Sequence, residues 1–314
     1  MVSVPAIRAR TVRPEAYFVG SAVFHYLGPA FAVLLFARVD VLGVAWLRIA
    51  AAAAVFAAWR KPWRVLARLD RDGRVLIAAL GLTFAGMNAC FYVAIDRLPL
   101  ATVAAIEFLG PIALAFAGAR VARNVAAVVA ATAGVYLLTR VTVTGRPVDV
   151  AFAFANAALF TVYIVLAHRV SRRSEAGGID GLAAAMLLAL VFVTPIGGWQ
   201  VVPVLGDPVA LAAGVGVGVS SSVIPYVWDQ LAMARLPRAT YALFVSLLPA
   251  TATVVGVIVL QQLPTATDLA GIALVMLGVA LHRPQIAPVP RRRGRRSRSR
   301  CPRSGSARSS SRAA

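Results

Sequence analysis

Glu107, Arg48 and His25 each stand inside a long apolar run, with no opposite charge close by in sequence. A carboxylate in such a place can hold an ammonium group or a proton, and a guanidinium can hold a carboxylate. An imidazole can bind a polar group or titrate near neutral pH. Each has a plainer reading: a static Glu107–Arg48 ion pair that locks two helices, and a histidine hydrogen-bonded as a packing residue. Uncharged polar residues share the setting. Asn88 and Tyr92 are one helical turn apart, and Asn156 and Tyr163, seven residues apart, also share a helix face. Ser220, Ser221 and Ser222 precede Pro225 and Tyr226, while Tyr241 and Ser246 precede Pro249. Buried amides need partners, so each set either lines a polar cavity or bridges helices.

The familiar catalytic patterns are missing. The sequence has no HExxH, no GxSxG and no paired Asp motif within a helix. Gly214, Gly216 and Gly218 are not followed by Lys-Ser/Thr, so they form no phosphate loop. Cys90 and Cys301 have neither metal-ligand nor disulfide-framework spacing. No catalytic residue, cofactor or metal site is therefore expected.

The elements that must position these residues follow from composition. Of 314 residues, 60% are hydrophobic and only 14% charged, with mean hydropathy +0.79. A water-facing surface needs about 25% charge, so soluble globular and disordered classes both fail. Ten apolar stretches can be drawn, near 16–37, 41–59, 75–95, 100–119, 123–139, 149–168, 181–200, 208–228, 239–260 and 266–282. Each approaches the ~20 residues a spanning helix needs. The first follows Arg8, Arg10 and Arg13 like a signal peptide, but its length and the next span close behind mark it as a retained helix.

Charge sets the orientation. With the N-terminus inside, the inner segments hold 27 basic residues; the outer loops hold four, Arg38, Arg97, Arg140 and Arg146, and Arg48 is left within a helix. That asymmetry predicts ten helices with both ends cytoplasmic. The net charge of +20 is concentrated: ten arginines and no acid lie between Pro284 and Ala314. This Pro/Arg/Ser-rich tail is expected to be disordered and to meet anionic lipid rather than nucleic acid. Asp229 reads as an interfacial partner of Arg235, and His168 and His282 as interfacial.

An internal repeat organises the helices. Arg97-Leu-Pro99, Ala101-Thr102, Pro111 and Gly118 recur 138 residues later as Arg235-Leu-Pro237, Ala239-Thr240, Pro249 and Gly256. Further on, Ala133-Gly134-Val135 matches Leu277-Gly278-Val279. The repeat lays helices three to five over eight to ten, so its unit has five helices. An odd unit makes the two halves antiparallel in the membrane, the arrangement in which secondary transporters bind substrate between repeats near the midplane. Pro111 and Pro249, equivalent in the repeat, are candidate hinges, with Pro225 a third.

The run Ala101-Thr-Val-Ala-Ala-Ile-Glu-Phe-Leu-Gly-Pro-Ile-Ala-Leu-Ala resembles the fourth helix of EamA-type transporters of the drug/metabolite transporter superfamily, most narrowly the RhtA-like threonine/homoserine exporters. Ser221-Ser222-Val-Ile-Pro225-Tyr226, Leu236-Pro237 and Ser246-Leu247-Leu248-Pro249 resemble them too. The likeness covers about residues 16–283. It implies ten helices in two inverted halves around a central cavity, and export of amino acids or related metabolites on an ion gradient. Leu248 and Leu260-Gln261-Gln262 depart from it, since such proteins often carry acids there.

The expectation is an all-α polytopic membrane protein. A cytoplasmic segment (1–15) precedes one five-helix half (16–139), a linker (140–148), a second half (149–283) and the basic tail (284–314). A small-molecule substrate would bind near Glu107, His25, Asn88, Tyr92, Asn156, Tyr163, Tyr226 and Arg48. The protein would sit in the plasma or inner membrane, with its oligomeric state open. The rival readings are a membrane-embedded lipid-modifying enzyme, which would need an interfacial carboxylate or histidine cluster, and a non-transporting membrane protein.

Overall fold

The computed structural model describes residues 14–118, 121–142, 147–171, 178–233 and 247–281, and among these there are helices and no strands. Five apolar helical segments of 20 to 27 residues are long enough to cross a membrane: Val41–Arg60, Arg71–Arg97, Pro147–Val170, Ile179–Val204 and Pro208–Trp228. Five shorter apolar helices occupy the other expected stretches. The N-terminal segment, the basic tail, His282, Tyr241 and Ser246 lie outside the described residues, as does the Asp229 side chain.

We number the helices α1 (Pro14–Leu35), α2 (Val41–Arg60), α3 (Pro62–Arg68), α4 (Arg71–Arg97), α5 (Leu100–Glu107), α6 (Leu109–Gly118), α7 (Ala122–Thr142), α8 (Pro147–Ser171), α9 (Ile179–Gly197), α10 (Pro208–Gly218), α11 (Ile224–Met233), α12 (Leu248–Leu260) and α13 (Ala266–Leu281). Their ends follow local chemistry. Asp70 caps α4 by accepting the Gly73 N–H at 2.7 Å, and Asp207 caps α10 through the Val209 and Ala210 N–H groups. Thr265 and Asp268 form a reciprocal capping box at α13. Lys61 turns left-handed (φ 50°) to end α2, and Pro62 starts α3, a short amphipathic helix between the second and third expected spans.

Two expected spans are discontinuous. The fourth breaks at Phe108 into α5 and α6, and the eighth passes through a π-helical turn, Val219–Val223, between α10 and α11. Proline accounts for both. Pro111 and Pro225 cannot donate to the carbonyls four residues back, those of Glu107 and Ser221. Pro29 does the same to His25 within α1. Pro249 lies in the first turn of α12. Pro111, Pro225 and Pro249 thus mark helix breaks or starts, whereas α1 continues through Pro29.

α7 packs most extensively on α13, and α4 lies against both α8 and α9. α2 meets α9 and α10, α1 meets α11 and α12, and α5 meets α12 and α8. The α7–α13 seam needs glycine. A Cβ on Gly134 would come 2.5 Å from the Gly271 carbonyl, and one on Gly278 would come 2.7 Å from that of Ala127. Lipid offers helices little hydrophobic drive to associate, so this close backbone approach is what dispersion contacts require.

Candidate functional site

Arg48 is 7% exposed and Glu107 8%, in the interior of the bundle. α2 and α5 carry them about seven residues from the ends that begin after Asp40 and Pro99, roughly 10 Å along each axis. They interact electrostatically but make no ion pair. The static Glu107–Arg48 lock is therefore not formed, because the guanidinium is engaged elsewhere. Its Nε donates to Ser222 Oγ at 2.9 Å and its terminal nitrogen to the Ser221 carbonyl at 3.2 Å. That carbonyl is the one Pro225 leaves without its helical donor. Arg48 thus caps the π turn, and its guanidinium carbon stands 5.5 Å from the centre of the Tyr92 ring.

Around this pair, groups from α1, α4, α8 and the π turn converge. Tyr92 is fully buried, its hydroxyl beside Arg48 and Ser221 without a well-formed hydrogen bond. One turn away on α4, Asn88 donates to the Ala45 carbonyl at 3.0 Å, while its amide oxygen has no partner. Asn156, on α8 and 1% exposed, stands beside the Glu107 carboxyl, yet neither of its amide atoms closes a well-aligned hydrogen bond. Tyr26, buried on α1, faces Glu107, and His25 lies edge-on to Tyr26 with centroids 5.3 Å apart, within the field of Arg48. Gly28 brings α1 against the π turn, where a Cβ would meet the Ser221 nitrogen at 2.8 Å.

Six of the eight expected residues therefore gather: Glu107, Arg48, His25, Asn88, Tyr92 and Asn156. For Tyr163 and Tyr226 the ring contacts are with a neighbouring aromatic group. Both pack on Phe84, 5.9 Å from its ring centre, and Tyr163 stacks on Phe160. Phe84, Asn88 and Tyr92 recur every four residues on α4, so this aromatic group lies one to two turns from the polar centre along one helix face. Phe84 and Tyr26 carried no signal as apolar-run aromatics. Ser221 and Ser222 were visible as a polar triplet, but that Arg48 would bind them was not. The signal available was proline spacing: Pro29, Pro111 and Pro225 each follow a residue of the polar centre by four.

Membrane-length apolar helices closing around a buried cation, a buried carboxylate and orphaned amides define a class, the α-helical membrane transporters. Comparison with known proteins places the chain within that class. Residues 149–282 match the EamA-like transporter family. The threonine/homoserine exporter RhtA of Salmonella typhimurium (strain LT2) is 32% identical over 252 residues, 79% of this chain and 84% of the relative. That of Escherichia coli (strain K12) is 31% identical over the same shares. The chain belongs to the EamA-like transporter family and resembles its RhtA members; it is a membrane protein with a small-molecule substrate, and not an enzyme. A crystal structure of another protein, 20% identical, aligns with TM-score 0.56 over 86% of this chain and 96% of that one, a likeness of fold alone.

Proposed function

We propose that this protein exports small zwitterionic amino acids of the threonine/homoserine kind across the inner membrane by alternating access. Residues 16–139 and 149–283 act as two inverted five-helix halves, with both termini cytoplasmic. Packing supports the halves: α1–α11 is mirrored by α4–α8, α2–α10 by α4–α9, and α1–α12 by α5–α8. The pairs α2–α9, α5–α12 and α7–α13 each join repeat counterparts. In this reading the Arg-rich tail meets anionic lipid at the cytoplasmic face.

The observation that carries the reading is the pair of buried, opposite charges that do not neutralise each other. Among the described residues the other buried charge, Asp149, is ion-paired with Arg97 at 2.7 Å. A zwitterion supplies both missing partners at once: its ammonium to Glu107, its carboxylate to Arg48, which retains donors beyond its two bonds to the π turn. The orphaned atoms of Asn156, Asn88 and Tyr92 then read the substrate's side-chain hydroxyl. Pro111, Pro225 and Pro249 lie where the helices yield as the halves rock. The relatives' substrates, threonine and homoserine, suit these groups.

Efflux of labelled threonine and homoserine from cells or proteoliposomes tests the reading. Glu107→Gln is expected to abolish efflux with protein level unchanged. Normal efflux in that variant would remove Glu107 from the mechanism; no flux of either amino acid by wild type would overturn the proposed substrate class.

A further inference from the structure

The first copy of the RLP-x-AT motif, Arg97–Thr102, stands at the end of α5 away from the polar centre. Pro99 and Thr102 line a separate cavity of about 200 Å³ at the end of α5 opposite Glu107. The seven-residue step from Leu100 to Glu107 puts roughly 10 Å of helix between the two sites. The facing wall comes from α12, α13 and their connection, through Thr253, Gln262 and Asp268.

Asp268 is only half satisfied. Its Oδ2 accepts the Thr265 N–H and hydroxyl, both at 2.8 Å, which is the capping box of α13. Its Oδ1 is buried with no hydrogen-bond partner. A carboxylate oxygen shut away from water without a donor is costly, so a ligand that supplies positive charge is strongly favoured there. The other lining oxygens suit such a ligand. Thr102, which lines the cavity, is 2% exposed. Thr253 donates its hydroxyl proton to the Pro249 carbonyl at 2.8 Å, which leaves the oxygen free to accept. The Gln262 amide oxygen is already taken by the Leu100 N–H, at 3.1 Å.

We propose that this cavity is a binding site for a monovalent cation, an alkali ion or the ammonium of a primary amine, held by the Asp268 carboxylate and the Thr102 and Thr253 hydroxyls. One carboxylate with two neutral oxygens balances a single positive charge, whereas a calcium site collects six or more oxygens. Three oxygens also match the three N–H donors of a primary ammonium. The apolar remainder of the wall lowers the local dielectric and strengthens the attraction. Because the wall is shared between α5 and the α12–α13 connection, a bound cation ties these elements together.

Thermal unfolding of the full-length purified protein tests the site, with sodium chloride or methylammonium chloride compared with N-methylglucamine chloride at equal ionic strength. Wild type is expected to gain about 3 °C with at least one of the two small cations. Asp268→Asn keeps an oxygen for the Thr265 cap, and Thr102→Val leaves that cap untouched; each should lose more than half of the gain. Glu107→Gln should retain it, which separates this site from the polar centre. A gain with sodium alone assigns the alkali ion, with methylammonium alone the amine, and with both a site open to either. If Asp268→Asn does not fold, Thr102→Val decides. No gain in wild type, or a full gain in a folded variant, overturns the proposal.

Discussion

The α7–α13 seam and the centre around Arg48 are both buried between helices, yet they are held by opposite means. At the seam, backbone meets backbone through Gly134, Gly271, Gly278, Ala127 and Ala131, and Arg123 reaches from the start of α7 to the Leu281 carbonyl at the far end of α13. At the centre, a guanidinium props open a π turn, a carboxylate lacks an ion-pair partner, and several amide and phenol atoms are orphaned. Dispersion contacts are satisfied or they are not, so the seam has one good arrangement. Unmet hydrogen bonds invite whatever can meet them, and the centre has room for a second arrangement with substrate in it.

The largest expected effect breaks the seam. Gly134→Leu drives a side chain into the Gly271 carbonyl, backbone that cannot swing aside. Overpacking of this kind costs about 1–3 kcal/mol when neighbours can relax and more when they cannot. Recovery of monodisperse protein by size-exclusion should collapse. Gly216, with nothing within 4 Å of an added Cβ, is the control: Gly216→Ala should fold and gain up to about 1 kcal/mol of helix stability.

Next in size is the clamp on the π turn. Arg48→Lys keeps the charge but cannot reach Ser222 Oγ and the Ser221 carbonyl in one planar geometry. Leaving one buried group unmet costs about 1–3 kcal/mol. Both the melting temperature and threonine efflux should fall. Ser222→Ala should reproduce a smaller part of the stability loss. Unchanged stability in Arg48→Lys would mean that the guanidinium contacts contribute nothing to holding the turn.

How far these two regions can be read from sequence differs in the same way. Gly134 and Gly278 were legible as matched positions of the repeat, although Gly271, which faces Gly134, sits outside any motif. Arg48 and Glu107 announced themselves because charges in apolar runs are costly. Their partners did not. Equal depth along two helices left an ion pair as one of two readings, and Ser222 Oγ with the freed Ser221 carbonyl, a consequence of Pro225 on a third helix, redirects Arg48. Tyr163 and Tyr226 shared helices with the polar set, but spacing along one helix cannot say which neighbour's aromatic ring lies opposite. The basic tail and the start of the ninth span, with Tyr241 and Ser246, lie outside the described residues.

A smaller effect sharpens the comparison by opposing stability to function. Asn156 carries two orphaned amide atoms, so Asn156→Leu removes a desolvation cost without removing a hydrogen bond. Its melting temperature should equal or exceed that of wild type, while threonine efflux drops about tenfold, the worth of one hydrogen bond to substrate. A residue that only bridged helices would show the reverse: a lower melting temperature with efflux per folded molecule retained.

The smallest expected effect lies at the α10 end of the bundle, where polar groups are met in water rather than withheld. The Ala210 and Val209 N–H groups, helped by Arg38 at 3.4 Å, hold the Asp207 carboxyl below its usual range. A carboxyl whose folded value is depressed stabilises fully above its unfolded value, near 4, and loses that contribution as pH falls through the folded value. The melting temperature of wild type should therefore exceed that of Asp207→Asn at pH 7, and the two should converge as pH drops through the depressed folded value. Raised salt should shrink only the part owed to Arg38, since the backbone donors stay in direct contact. A gap that persists undiminished at low pH would show that Asp207 acts through something other than its charge.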